Sequence, residues 1–110
     1  MSYTHRVVSG VDVIELEDAI DLYSTPPIKK FLKTLIKDEN KKIVISLEKV
    51  NFLDSSGLGM LVNLFFECRE RKIRIKLAKV SLAAMNILRQ SKTEGNFEIV
   101  SSVEYAIESF

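Results

Sequence analysis

A short polar turn between two apolar segments holds the residues of this chain that could do chemistry. It reads Asp54-Ser55-Ser56-Gly57, with a second glycine at Gly59. Aspartate and serine oxygens commonly accept the free backbone N–H groups at the start of a helix, so this turn predicts a helix beginning here. The same helix end favours an anion, because its N–H groups and dipole point there. We expect the two glycines to let another chain or a phosphate group come close.

The residues near this turn match no catalytic motif. A nucleophile elbow places glycine two residues before the serine, but the residues at that distance here are Leu53 and Asp54. The single histidine, His5, lies in the lead-in to the first predicted strand, a poor position for a general base. A dinucleotide loop needs a third glycine where this chain has Val62. One cysteine and one histidine cannot build a zinc site. We therefore expect a non-enzyme without metal or cofactor.

The composition is typical of one ordinary globular domain, and we expect residues 1–110 to form it. The chain has 110 residues, with 46% hydrophobic and 28% charged residues. A net charge of +1 gives no reason to expect nucleic acid as a partner. The single cysteine, Cys68, fits a reducing compartment. No segment approaches the roughly 18 apolar residues of a membrane span. We expect a cytoplasmic protein without a signal peptide that does not bind membranes.

Hydrophobic patterning predicts the elements that position the turn. Residues 6–9 and 11–16 look like two strands of a hairpin around Gly10. From residue 25 onward, strands and helices alternate, which favours an α/β fold with a mostly parallel sheet. The later strands are predicted at 42–47, 73–77 and 97–100, and the helices begin near Thr25, Asp54, Ser81 and either Ser101 or Ser102, which are both cap candidates. We predict a mixed sheet of about five strands, with an N-terminal hairpin and about four helices.

Two side-chain patterns predict which faces are buried. In the strand at 73–77, isoleucine and leucine alternate with Arg74 and Lys76, which predicts that both cations face water. In the second helix, a stripe centred on Leu58 forms the predicted core face. Met60 falls on the opposite side beside Asn63, so we expect Met60 to face water; Phe66, on a flank, should be half exposed. An exposed methionine is either incidental or part of a partner surface.

The turn and its context resemble the signature of the bacterial anti-sigma factor antagonists, the STAS domain family. The resemblance covers nearly the whole chain, including the opening hairpin, the Ile20-Asp21 pair before the first helix and the tail from 95 to 106. It implies the STAS fold. It also implies that Ser55, the first serine of the turn, is phosphorylated, and that Asp21 and Asp54 lie close to it.

The resemblance further implies a function and its partners. In the family, the unphosphorylated antagonist binds an anti-sigma factor that is also a serine kinase, and thereby frees the sigma factor. Phosphorylation switches this binding off, and a serine phosphatase resets it. The residues expected to contact the partner are Asp21, Asp54, Ser56, Gly57, Met60 and Asn63.

Several alternatives stay open. Some family members act in larger stress-signalling complexes, so the chain could be a scaffold subunit. A small nucleotide-binding α/β protein is an interpretation from another class. Ser55 could also be a plain helix N-cap, worth about 1 kcal/mol. Likewise, Asp54 could serve only as a cap and Asp21 only as a loop residue.

Overall fold

A computed structural model describes residues 3–39 and 41–110. Within these residues the strands are β1 (Tyr3–Val8), β2 (Val11–Ile20), β3 (Lys42–Leu53), β4 (Arg74–Ala78) and β5 (Ile99–Val100). The α-helices there are α1 (Thr25–Leu35), α2 (Ser55–Glu70), α3 (Leu82–Gln90) and α4 (Val103–Glu108), and a 3₁₀ turn covers Glu94–Asn96. The sheet order is β1-β2-β3-β4-β5, with β1 antiparallel to β2 and every later neighbour parallel. The predicted fold class is confirmed.

The hairpin forms as predicted, but its second strand is longer than expected. Ser9 and Gly10 both have positive φ angles, 50° and 77°, as a two-residue hairpin turn requires. We predicted that β2 ends at residue 16, whereas it pairs with β3 as far as Ile20. The register shifts near Glu17 and Asp18 put the extra residues in β3, while these two β2 residues are both acidic, so the pattern suggested a polar connection. Because of this extension, β2 and β3 end side by side, with Ile20 paired to Leu53 at the same edge of the sheet.

The sheet has helices on both faces. The parallel crossovers all step in one direction along the sheet, which places α1, α2 and α3 on one face. Ile14 and Ile45 point toward these helices and belong to the larger core cluster. Val13 and Val44, one residue away in each strand, belong to a smaller cluster with α4 on the opposite face.

The buried face of α2 differs from the one predicted. Met60 is only 6% exposed, and it lines a narrow groove with Leu32 of α1 and with Ile36, the residue that follows this helix. The prediction that Met60 faces water is therefore wrong. The helical wheel assumed a single buried side, but α2 packs against both the sheet and α1. The expected exposure of Asn63 and Phe66 is confirmed.

One further prediction about local structure needs correction. Lys76 does not face water: it is 5% exposed, because α4 covers that face of β4. Of the two cap candidates for the last helix, the structure uses Ser102, whose hydroxyl accepts the N–H of Tyr105 at 3.0 Å. Ser81 caps α3 as predicted, accepting the N–H of Ala84 at 3.2 Å.

Candidate functional site

The polar turn lies at the edge of the sheet where the parallel strands end. Ile20, the last residue of β2, is paired with Leu53, the last residue of β3. The N–H of Asp54 donates to the carbonyl of Ile20 at 3.2 Å, so the turn begins in direct contact with β2. The carboxyl ends of parallel strands are the usual location of functional sites in α/β sheets.

The Asp54 carboxylate is the cap of α2. Its Oδ1 accepts hydrogen bonds from the N–H groups of Ser56 and Gly57, at 2.9 and 3.0 Å, and from the Ser56 hydroxyl at 2.6 Å. Its Oδ2 accepts the N–H of Leu22 at 3.2 Å. The hydrogen bond from the Ser56 hydroxyl, followed by those from backbone N–H groups, lowers the pKa of Asp54. The interpretation of Ser55 as a plain N-cap is therefore wrong.

The two serines of the turn have different environments. Ser55 is the first residue of α2 and its side chain is exposed. Across residues 3–39 and 41–110, no hydrogen bond engages its hydroxyl. Ser56 is partly buried, and its hydroxyl donates to Asp54. An enzyme can reach the first hydroxyl without breaking any hydrogen bond, whereas the second is held in the cap.

Gly57 is buried and serves the fold. A Cβ at this position would lie 2.6 Å from the carbonyl oxygen of Ile20 and 2.7 Å from a methyl group of Leu53. The glycine therefore lets the start of α2 approach β2 and β3, and the expectation that it makes room for a partner or a phosphate is wrong. A Cβ at Gly59 would meet nothing within 4 Å.

The loop between β2 and α1 is held by its own side chains. Asp21 Oδ1 accepts the N–H groups of Tyr23 and Ser24, at 2.9 and 3.0 Å. The Ser24 hydroxyl accepts the N–H of Asp21 at 2.9 Å and donates to the carbonyl of Ala19 at 2.8 Å. Asp21 thus lies at the edge of the sheet that holds the turn, as expected, and its carboxylate shapes the loop.

Four apolar side chains that the sequence patterns did not indicate project into solvent at this edge. They are Leu22 (65% exposed), Tyr23 (86%), Phe52 (51%) and Leu82 (75%). We call them the apolar rim. Leu22 donates its N–H to Asp54, and Phe52 lies two residues before Asp54. The sequence did contain an indication of this surface. Leu22 and Tyr23 form an apolar pair in a polar connecting loop, where side chains stay exposed because they cannot pack in the core.

The remaining expected contact residues lie elsewhere on α2. Asn63 is exposed about two turns from Ser55, and Met60 is covered by α1. Among the residues that the structure describes, no group of three or more His, Cys, Asp or Glu side chains could hold a metal ion. None of the helices in the described ranges has the length and apolar character needed to cross a bilayer.

Comparison with known proteins identifies the family. A family model of the STAS domain matches residues 3–106, and the chain belongs to the STAS domain family. The anti-sigma-B factor antagonist of Listeria monocytogenes is 34% identical over 62 residues, which cover 56% of this chain and 54% of that protein. The chain spans about half the length of the curated relatives it matches.

Solved structures share the fold over almost the whole chain. An anti-sigma factor antagonist from Mycobacterium paratuberculosis superposes with a TM-score of 0.86 and 19% identity, covering 97% of this chain and 91% of that one. The Bacillus cell fate determinant SpoIIAA in its phosphorylated form superposes with a TM-score of 0.74 and 22% identity, covering 97% of both chains.

Proposed function

We propose that this chain is an anti-sigma factor antagonist, regulatory rather than catalytic, whose switch is phosphorylation of Ser55. One observation carries the proposal: of two adjacent serines at the start of α2, the first presents an uncommitted, exposed hydroxyl and the second is bound to Asp54. Curated relatives named as anti-sigma-B factor antagonists support the function, and a related fold is known in a phosphorylated form.

In this proposal the unphosphorylated chain binds an anti-sigma factor that is also a serine kinase. The contact surface is the apolar rim together with Asp21, Asp54 and Ser56, and Asn63 extends it along α2. Exposed aromatic and aliphatic side chains beside a polar turn suit a protein interface, where they become buried on binding. A serine phosphatase would restore the free hydroxyl.

The charges around Ser55 explain how one phosphate could block binding and leave the fold unchanged. Phosphorylation adds about −1.5 to −2 charges at neutral pH. The Asp54 carboxylate already accepts the N–H groups of Ser56 and Gly57, so the phosphate would remain in water and disturb no hydrogen bond of the cap. A partner covering the turn would have to bury a dianion next to Asp54. An unpaired buried charge costs several kcal/mol, and about 1.4 kcal/mol already changes affinity tenfold.

The test is phosphorylation by the cognate anti-sigma kinase, followed by mass spectrometry of wild type, Ser55→Ala and Ser56→Ala. We expect one phosphate on wild type and on Ser56→Ala, and none on Ser55→Ala. The Ser55→Ala chain should still bind the anti-sigma factor, whereas Ser55→Asp should keep its melting temperature and bind poorly. Phosphate on the Ser55→Ala chain would refute the assignment.

A further inference from the structure

A second surface lies at the outer edge of the sheet, away from the carboxyl ends of the strands. A cleft of about 500 Å³ runs beside the first half of β4. It exists because β5 is short and pairs with β4 only at Leu77 and Ala78. The 3₁₀ turn bounds one side of the cleft and the end of α4 bounds the other. Its volume is in the range of binding pockets.

The backbone of β4 is open for pairing along this cleft. The N–H groups of Leu77 and Lys79 donate to carbonyls of residues 98 and 100, at 2.8 and 3.2 Å. In a strand, every second residue directs its N–H and C=O to the same side, so those of Ile75 also point away from β3. Ile75 is paired with Ile43 of β3, but within the described residues no strand pairs with it on the opposite side of β4. Such an unpaired edge can accept an added strand.

The side chains along this edge differ between the two faces of the sheet. Ile75 lies on the face of α2, where Phe65 and Phe97 also line the cleft with their rings 4.8 Å apart. Arg74 and Lys76 lie on the face of α4, under the Phe110 ring, at 5.7 and 4.5 Å from its centre. One face of the edge is therefore apolar and the other cationic.

The cleft carries an excess of positive charge. The ionisable side chains lining it are Arg69, Arg74, Lys76 and Glu98. Lys76 is 5% exposed; its Nζ donates to the Ser109 hydroxyl at 2.5 Å and lies 3.3 Å from the Glu98 carboxylate. Lys76 is thus paired with Glu98, which leaves the exposed Arg69 and Arg74 as the two cations that favour an acidic ligand.

We propose that this cleft binds an extended acidic segment of a partner protein, which adds as a strand beside residues 74–76 of β4. Its side chains would alternate, with apolar residues toward Phe65 and Phe97 and acidic residues toward Arg74. The chain itself shows this pattern where β5 begins: Phe97 packs on the apolar face, and Glu98 pairs with Lys76. The proposal is independent of the function proposed for Ser55, which lies at the far ends of the parallel strands.

Fluorescence anisotropy with a defined probe tests the proposal. The probe is a fluorescein-labelled Val-Glu-Val-Glu-Val peptide amide, and its control has lysine in place of glutamate. With the full, unphosphorylated chain we expect saturable binding of the acidic peptide and at least tenfold weaker binding of the basic one. Hydrogen exchange should show the Ile75 amide slowing when the acidic peptide is bound. No saturation at millimolar protein, or no protection of that amide, would overturn the proposal.

Matched charge reversals separate a specific site from general attraction. Arg74→Glu places a like charge opposite the acidic residues, so binding should weaken about tenfold. Lys30→Glu makes the same charge change on an exposed position of α1 outside the cleft, and binding should stay within about twofold at 150 mM salt. An equal loss of affinity for the acidic peptide in both variants would contradict a specific site. Sedimentation of the free chain gives a second check. A dimer that Arg74→Glu dissociates would also overturn the proposal, because a second copy of the chain would then occupy the cleft.

Discussion

The carboxylate of Asp54 joins the backbone of Leu22 to the first turn of α2. One carboxylate oxygen accepts the N–H of Leu22 at 3.2 Å, and the other caps the helix. A single side chain therefore holds both the loop that exposes Leu22 and the helix that begins at Ser55. The position of the apolar rim relative to Ser55, the proposed phosphoacceptor, depends on this carboxylate.

Replacement of Asp54 by asparagine should therefore lower stability in a pH-dependent way. Because the hydrogen bond from Ser56 lowers the pKa of Asp54 in the folded state, the carboxylate stabilises the fold above its unfolded pKa of about 3.9. This contribution is lost as the pH falls through the lower folded pKa. Melting curves should show Asp54→Asn less stable than wild type at pH 7, with the difference shrinking below about pH 4.

Asp38→Asn is the control for this experiment, since Asp38 is exposed after α1 and far along the chain from the cap. Its difference from wild type should stay small throughout the same pH range. A difference for Asp54→Asn that grows on acidification would contradict the predicted sign.

Alanine substitutions at the two glycines of α2 should change stability in opposite directions. A Cβ at residue 57 would lie 2.6 Å from the carbonyl of Ile20, so Gly57→Ala should destabilise the fold by about 1–3 kcal/mol. Gly59 has open space around it, so Gly59→Ala should gain about 0.5–1 kcal/mol from helix propensity. Urea unfolding measures both, and equal effects would contradict the close approach at Gly57.

Met60 and Asn63 provide a matched pair on the same helix. Met60 is buried between α1 and α2, so Met60→Ala should cost about 2–5 kcal/mol in the free energy of unfolding. Asn63 is exposed, and Asn63→Ala should stay within about 0.5 kcal/mol of wild type. Denaturant titrations of the two variants give the comparison. A negligible cost at Met60 would restore the original prediction that this side chain faces water.

The apolar rim should contribute to partner binding and little to stability. Tyr23 is 86% exposed, so Tyr23→Ser should leave the melting temperature nearly unchanged while weakening anti-sigma factor binding at least about tenfold. Val7→Ser is the control, because Val7 is also exposed, at 63%, but pairs with Asp12 near the start of β2, at the opposite end of that strand from Ile20. Calorimetric titration of both variants should separate them. Equal affinities would place the contact surface elsewhere.

Local patterns in the sequence predicted the elements of the fold well. Alternating apolar segments, the Gly10 turn and the capping serine Ser81 each determine structure through neighbours in the chain, so they could be read directly. The length of β2 could not be predicted in this way, because its end contains the acidic pair Glu17-Asp18 and is defined by pairing with β3, a distant segment. Burial of Met60 depends on α1, which packs on α2 from a distant part of the sequence.

The candidate site was predicted in part. The turn and the phosphoacceptor candidate Ser55 came from a motif and a family resemblance. The spacing of residues could not show which serine has a free hydroxyl, because both lie near the start of the helix. The direction of the Asp54 carboxylate decides this, and it accepts the hydroxyl of Ser56. The tight contact of Gly57 with Ile20 is a tertiary feature that no local pattern reports.

That tight contact has a consequence for any enzyme that modifies Ser55. With the start of α2 pressed against β2, we expect this segment to stay helical, so that an enzyme would meet the Ser55 hydroxyl on the folded surface and not in an extended chain. We therefore expect the enzyme to recognise the folded surface around Ser55. A short synthetic peptide of residues 50–60 would have the same sequence but would lack the folded conformation. We therefore expect it to be a poor substrate.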